Sequence, residues 1–173
     1  MDNFVEQLVA KRADGKAYFL RGLIVSFAVV MVALGIVATV MFAFPLLLFV
    51  SVGACYLAWW LFGNTSLEYE YIVTNNDFDI DKIIGKRKRK RMITVDISQA
   101  EDFAPYPPEN EISADATVHA YTGSDVDAYY LLVNHSGYGR VKLIFNPNKK
   151  MREAIMQELP NTLRIKLRNN NVS

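Results

Sequence analysis

The 173-residue sequence has one cysteine, Cys55, and two histidines, His119 and His135. A lone cysteine excludes a disulfide scaffold and a cysteine-rich zinc site. No Gly-rich phosphate loop and no paired His/Glu metal spacing occurs, so the common nucleotide and metalloenzyme signatures are missing. The largest absence is of charge. Residues 22–67, 46 in a row, contain no Asp, Glu, Lys, Arg or His. The remaining 127 residues hold all 37 Asp, Glu, Lys and Arg, an ordinary soluble composition. A simple soluble globule and a disordered chain are both excluded.

A membrane-crossing helix takes about 20 apolar residues. Forty-six uncharged residues therefore suit two crossings with a tight turn. Pro45 sits near the middle, where it opens a second helix and ends the first. The pattern predicts helices over about 18–42 and 45–62; the rival reading is one crossing plus a buried core helix. The run is too long for a cleaved signal peptide. Lys11, Arg12, Lys16 and Arg21 precede it, the Pro45 connection is uncharged, and a basic run at residues 86–91 follows. Positive charge collects on the cytoplasmic side. The expectation is a multi-pass cell-membrane protein with two helices and both termini cytoplasmic. Tyr18, Phe19, Tyr56, Trp59 and Trp60 would form an aromatic belt at that inner interface. Small residues such as Gly35, Ser51, Gly53 and Ala54 suit close helix contact, and Cys55 reads as one more small packing residue. With no ionisable group inside the run, a pump or transporter mechanism has no residues to use.

Before the run, Asn3 and Glu6 form a possible capping box, and Phe4/Leu8 and Val5/Val9 have helical spacing. Residues 1–17 are accordingly expected as an amphipathic helix, lying on the inner leaflet or packing on the soluble part. After the run the period changes from 3.6 to 2. Strands are expected over 67–74, 77–84, 92–97, 118–121, 128–134 and 140–145, with turns at Asn75-Asn76 and residues 135–139. Between the third and fourth lies an irregular acidic region. Asn146 and Pro147 open a helix whose stripe is Met151, Ala154, Ile155 and Leu159, and Pro160 stops it. Residues 161–173 read as a polar tail. The fold class is a membrane α-helical hairpin (18–63) plus an α+β domain (67–160). The latter is a strongly bent antiparallel sheet, a partly open β-barrel, closed by a C-terminal helix.

The stretch Tyr71-Ile72-Val73-Thr74, turn, Phe78-Asp79-Ile80, the Gly85 break, the basic residues and Ile93 to Ile97 leading into Glu101 resembles bacterial pleckstrin-homology-like domains. More narrowly, it is similar to a group of small bacterial membrane proteins in which such a domain follows a two-helix hairpin. The resemblance spans roughly residues 22–159 and is sharpest over 68–97. It implies a fold and an attachment; it carries no catalytic motif. The acidic stretch 101–115 departs from the short turns of such domains.

The strongest surface feature is Lys86-Arg87-Lys88-Arg89-Lys90-Arg91. No strand buries three ammoniums or three guanidiniums cheaply, so the segment should protrude as a hairpin tip. Three destinations compete for it. The first is neutralisation by the acids of residues 92–127, which carry −8 against the +7 of residues 82–91, or by a partner. The second is anionic lipid headgroups, which attract juxtamembrane basic residues. The third is nucleic acid, which the balance of 15 acids and 15 bases over residues 68–173 disfavours. Asp77, Asp79 and Asp81 alternate on one strand but lack the Gly and distal Glu of a calcium loop. His119 is expected as a structural residue and His135 as an exposed loop residue. Asn64-Thr65-Ser66 and Asn134-His135-Ser136 match the glycosylation pattern, which a cytoplasmic domain would not use.

The expected function is non-enzymatic, with no cofactor, metal or nucleic acid. The hairpin would hold the domain at the inner leaflet for scaffolding, or for recognition of lipid, of a second copy or of a membrane-protein partner. The alternative is an accessory subunit of a membrane transporter or enzyme complex.

Overall fold

The computed structural model describes residues 4–43, 45–108 and 112–170. It divides into two compact units. One contains two four-stranded sheets and two helices; the other contains a pair of long apolar helices and the short segment Ile84–Lys88.

In the first unit, β1 (Phe4–Ala10), β2 (Leu67–Thr74), β3 (Asp77–Ile84) and β4 (Lys88–Asp96) form one sheet in that order. The second sheet runs β5-β7-β8-β6, from β5 (Ala100–Pro105), β6 (Ala116–Ala120), β7 (Tyr129–His135) and β8 (Gly139–Phe145). Helices α3 (Lys149–Glu158) and α4 (Asn161–Asn170) follow.

The core forms where apolar positions of alternating strands meet. Tyr71, Val73, Phe78, Ile80, Leu131, Val133, Val141, Leu143 and Phe145 are all fully buried. Tyr71, Phe78 and Phe145 pack edge-on or tilted, with centroids 5.0–6.3 Å apart, the separation aromatic quadrupoles favour. The Tyr71 hydroxyl donates to the Ala120 carbonyl and accepts from the Asn146 N–H at 3.3 Å, so one buried side chain ties β2 to β6. Burial raises its pKa well above the ordinary tyrosine range, and it stays a donor at any physiological pH.

Four expectations need correction. Residues 4–10 form a strand, not part of an amphipathic helix. Val5 and Val9 are buried, and all seven residues pair antiparallel with β2. Their apolar spacing satisfies both periods, and the β2 edge supplies partners that an isolated helix would lack. Asn3, the proposed cap, lies outside the described residues. The acidic region contains a strand, β5, which pairs with β7 through a bulge between Ala100 and Asp102. The sheet is not wholly antiparallel either: β6 runs parallel to β8, from Ala116↔Val141 to Ala120↔Phe145. Finally, the supposed tail forms α4 over Asn161–Asn170, with Leu163 buried. Pro160 ends α3 and begins this helix, its carbonyl accepting the Arg164 N–H at 3.0 Å.

The stripe Met151, Ala154, Ile155 and Leu159 on α3 is buried as expected. Its cap is Asn148, which accepts from the Met151 N–H at 2.8 Å. Asn146 instead bridges loops, accepting from the Thr122 N–H at 2.7 Å and donating to the Val126 carbonyl at 3.1 Å.

In the second unit, α1 (Gly15–Phe42) is capped by Asp14, which accepts from the Ala17 N–H at 2.9 Å. A 3-10 turn, Pro45–Leu47, leads into α2 (Leu48–Asn64). The two helices pack together, burying Gly35, Ser51 and Ala54, where small side chains allow close approach. Arg21 near the start of α1 donates to Thr65 Oγ1 just past α2 at 2.8 Å and lies 5.3 Å over the Phe62 ring. The pair is therefore antiparallel. Outward-facing Phe27, Val30, Leu34, Val37, Phe49 and Val52 are more than half exposed. By length and composition α1 can cross a membrane; at 28 residues it is about 42 Å long. With 17 residues, α2 is the shorter apolar helix.

Candidate functional site

The basic run forms a tight turn and the start of β4, and the two units divide it. Gly85 and Lys86 both have positive φ, +60° and +57°, and the Arg87 N–H bonds back to the Ile84 carbonyl at 3.2 Å. Two consecutive left-handed residues are the hairpin geometry that matches strand twist. A glycine relieves the strain at the first; Lys86 accepts it at the second.

Within the second unit this turn folds onto the end of α2. The Gly85 N–H donates to the Ser66 carbonyl at 2.8 Å. A Cβ at Gly85 would stand 2.9 Å from Asn64 Oδ1 and 3.2 Å from both Asn64 Cα and the Gly63 carbonyl, so the fit needs glycine. The Arg87 guanidinium lies 5.4 Å over the Trp59 ring, a cation–π contact that orients it. Trp59 also packs on Tyr56, with centroids 5.9 Å apart. The aromatic cluster and the basic turn are thus one local structure.

Within the first unit, Arg89 and Arg91 turn to carboxylates of the neighbouring strands. Arg89 Nη2 reaches Glu70 Oε1 at 2.6 Å. Arg91 pairs with Asp81 through Nε and with Asp79 at 2.7 Å, and it donates to Thr94 Oγ1 at 3.0 Å. Hydrogen bonding to Asp81, helped by the Asp79 charge, holds the Arg91 guanidinium even more firmly protonated than usual. Glu70 is 3% exposed and its Oε2 has no hydrogen-bond partner. Burial raises Glu70 above the ordinary carboxylate range, Arg89 opposes this, and nearby Glu6 and Asp81 reinforce it.

The run therefore does not act as six equivalent charges. Arg89 and Arg91 are tied to the sheet, Arg87 is stacked on Trp59, and Lys86, Lys88 and Lys90 are exposed. Internal neutralisation comes from Glu70, Asp79 and Asp81 of β2 and β3. Two acids of 92–127 pair elsewhere, Glu101 with Arg140 at 2.6 Å and Asp102 with Lys166 at 3.8 Å. The alternating acids in β2 and β3 carried this signal: they precede a strand with bases at the same alternation, and consecutive strands usually pair.

The profile of a family described as Bacterial PH-like domain (DUF6106) matches residues 1–165. The chain belongs to this family of bacterial PH-like domains. No curated protein and no solved structure matches it. The PH-like chain has the two sheets and terminal helices described above, and among the described residues the strands do not close into a barrel. His119, expected as a structural residue, lies exposed on β6 with its ring 6.0 Å from Tyr121. His135 is half-buried in the β7–β8 turn, where its Nδ1 accepts the Gly137 N–H at 3.0 Å. Among the described residues no group of His, Cys, Asp and Glu could hold a metal ion.

Proposed function

We propose that this PH-like protein is a non-enzymatic membrane component. In this reading α1 and α2 cross the bilayer out and back, the PH-like domain stays at the inner leaflet, and the basic turn contacts anionic lipid headgroups there. One observation carries the reading. Strand β1 precedes the helical pair and β2 follows it, yet Ala10 and Glu68 are partners in one antiparallel ladder. Only four residues separate Ala10 from α1, and two separate α2 from β2. Short links from one ladder to both ends of the helical pair support placing those ends on the same side of a membrane, with a crossing by α1 followed by a return by α2.

The turn favours the headgroup contact. It is seated beside Trp59, and tryptophan prefers the membrane–water interface. Each basic residue close to an anionic leaflet contributes about 1 kcal/mol. Scaffolding, by oligomerisation or partner capture, is the role such an anchored domain would serve.

The test uses the full chain in nanodiscs. Amide exchange over residues 84–91 should be slower in phosphatidylglycerol discs than in phosphatidylcholine discs. Added salt, or the combined Arg87→Gln, Lys88→Ser and Lys90→Ser variant, should remove the difference. Equal exchange in both lipids rejects the headgroup contact. Topology is tested separately in Cys55→Ser cells: an impermeant thiol reagent should label Leu46→Cys and spare Lys90→Cys. The reverse pattern rejects the double crossing.

A further inference from the structure

The first unit holds a cavity of about 320 Å³ between β5, β7, α3 and α4, apart from the basic turn. Its size is at the lower end of the range for small-molecule sites. The floor is apolar: Phe103 and Tyr129 stack with centroids 5.4 Å apart and planes 29° from parallel, flanked by Pro105, Met156 and Leu167. Charge enters only at the rim, as Lys149, Arg152 and Glu153.

Arg152 is the informative residue. Its guanidinium lies 5.1 Å over the Tyr129 ring, and its Nη1 donates to the Tyr129 hydroxyl at 2.8 Å. Stacking and one hydrogen bond to the Tyr129 hydroxyl fix the plane of a half-buried cation. A guanidinium has five N–H donors in a planar fork that matches a carboxylate with two parallel bonds. Holding that fork costs little further ordering on binding. Lys149 and Glu153 meet only loosely, at 3.9 Å, and both are mostly exposed. The rim carries one net positive charge over an aromatic and aliphatic floor.

We propose that this cavity binds a small amphiphilic monocarboxylate, its apolar chain on Phe103, Tyr129 and Met156 and its carboxylate on the Arg152 fork. A polyanion is disfavoured by Glu153 at the same rim, and a neutral apolar molecule would leave the guanidinium charge without a counter-ion.

The structure also supplies the reporter. Met156 lines the cavity, whereas Met151 on the same helix is fully buried in the core. The full chain, labelled with ¹³C-methyl methionine, is placed in phosphatidylcholine nanodiscs and titrated with octanoate, and with octanol in parallel. The Met156 signal is assigned by Met156→Leu. Octanoate should shift Met156 saturably and leave Met151 in place, and octanol should bind at least about tenfold more weakly, the order expected for one charge-assisted pair. Arg152→Gln should weaken octanoate by a similar factor, with the Met151 signal reporting an intact core. If Arg152→Gln does not fold, Lys149→Gln on the exposed rim should still weaken octanoate several-fold and leave octanol unchanged. A non-saturating Met156 shift, or equal affinity for octanoate and octanol, overturns the proposal.

Discussion

Replacing Gly85 with alanine adds one methyl group and changes no charge, so it separates the seating of the basic turn from its electrostatics. Gly85 has φ +60°, where a Cβ costs about 1–2 kcal/mol. The added carbon would meet Asn64 Oδ1 at 2.9 Å, which a side-chain rotation relieves, and two backbone atoms at 3.2 Å, which it does not. The turn must lift, stretching the 2.8 Å bond from the Gly85 N–H to the Ser66 carbonyl, a bond with a net contribution of about 1 kcal/mol. Together these weaken the seat by about 2–3 kcal/mol, which corresponds to amide exchange about 30- to 150-fold faster over residues 84–88. The measurement is hydrogen exchange of the full chain in nanodiscs, with the Val95 amide as an internal reference in β4. The slower exchange in anionic discs should fall with it, although all six basic residues are intact. Unchanged exchange at residues 84–88 would refute the claim that glycine at this position fixes the turn to the helix end. Faster exchange with undiminished lipid protection would refute the link between seating and headgroup contact.

Two further outcomes follow from the first unit. Tyr71→Phe removes a hydroxyl that serves the Ala120 carbonyl and the Asn146 N–H in a fully buried site. It should cost about 2–3 kcal/mol and lower the thermal midpoint by roughly 5–10 °C in calorimetry; a shift below 1 °C, about the smallest resolvable, would show that neither bond matters. Glu70 is raised by burial, so the folded state holds its proton more tightly than the unfolded chain does. Its contribution therefore falls as pH rises from the ordinary glutamate value of 4.5 through the raised folded value. Glu70→Gln should flatten that part of the profile, read from melting midpoints across pH 4.5–8 against wild type, and parallel profiles would reject the assignment.

Much of the architecture was legible because periodicity reports burial. Strands β2 and β3 alternate, and β7 and β8 are apolar runs either side of a Gly-rich turn, so the pattern alone placed all four within a residue or two. The uncharged run likewise marked both apolar helices. The failures have a common cause, since they concern segments whose structure depends on distant partners. Phe4–Ala10 is ambiguous alone and becomes a strand against β2. Ala100–Pro105 lacks regular alternation because a bulge interrupts it. Asn161–Asn170 looks polar, but Leu163 and Leu167 share a face four residues apart, and burial of Leu163 secures it. The basic run was identified as a protruding tip, and its division among three kinds of partner was not. That division depends on which carboxylates β2 and β3 bring beside β4, and on the aromatic residue that α2 places under Arg87.

The strand order has a consequence for biosynthesis. The first strand of the sheet is made before either apolar helix, and its neighbour only after both. On a translating ribosome β1 must wait, unpaired, through more than fifty residues; in the proposed double crossing, completion of the sheet reports that the intervening helices have returned to the side they left. In that topology a chain whose second helix failed to come back would leave β1 and β2 in different compartments, and quality-control proteases would meet two incomplete halves.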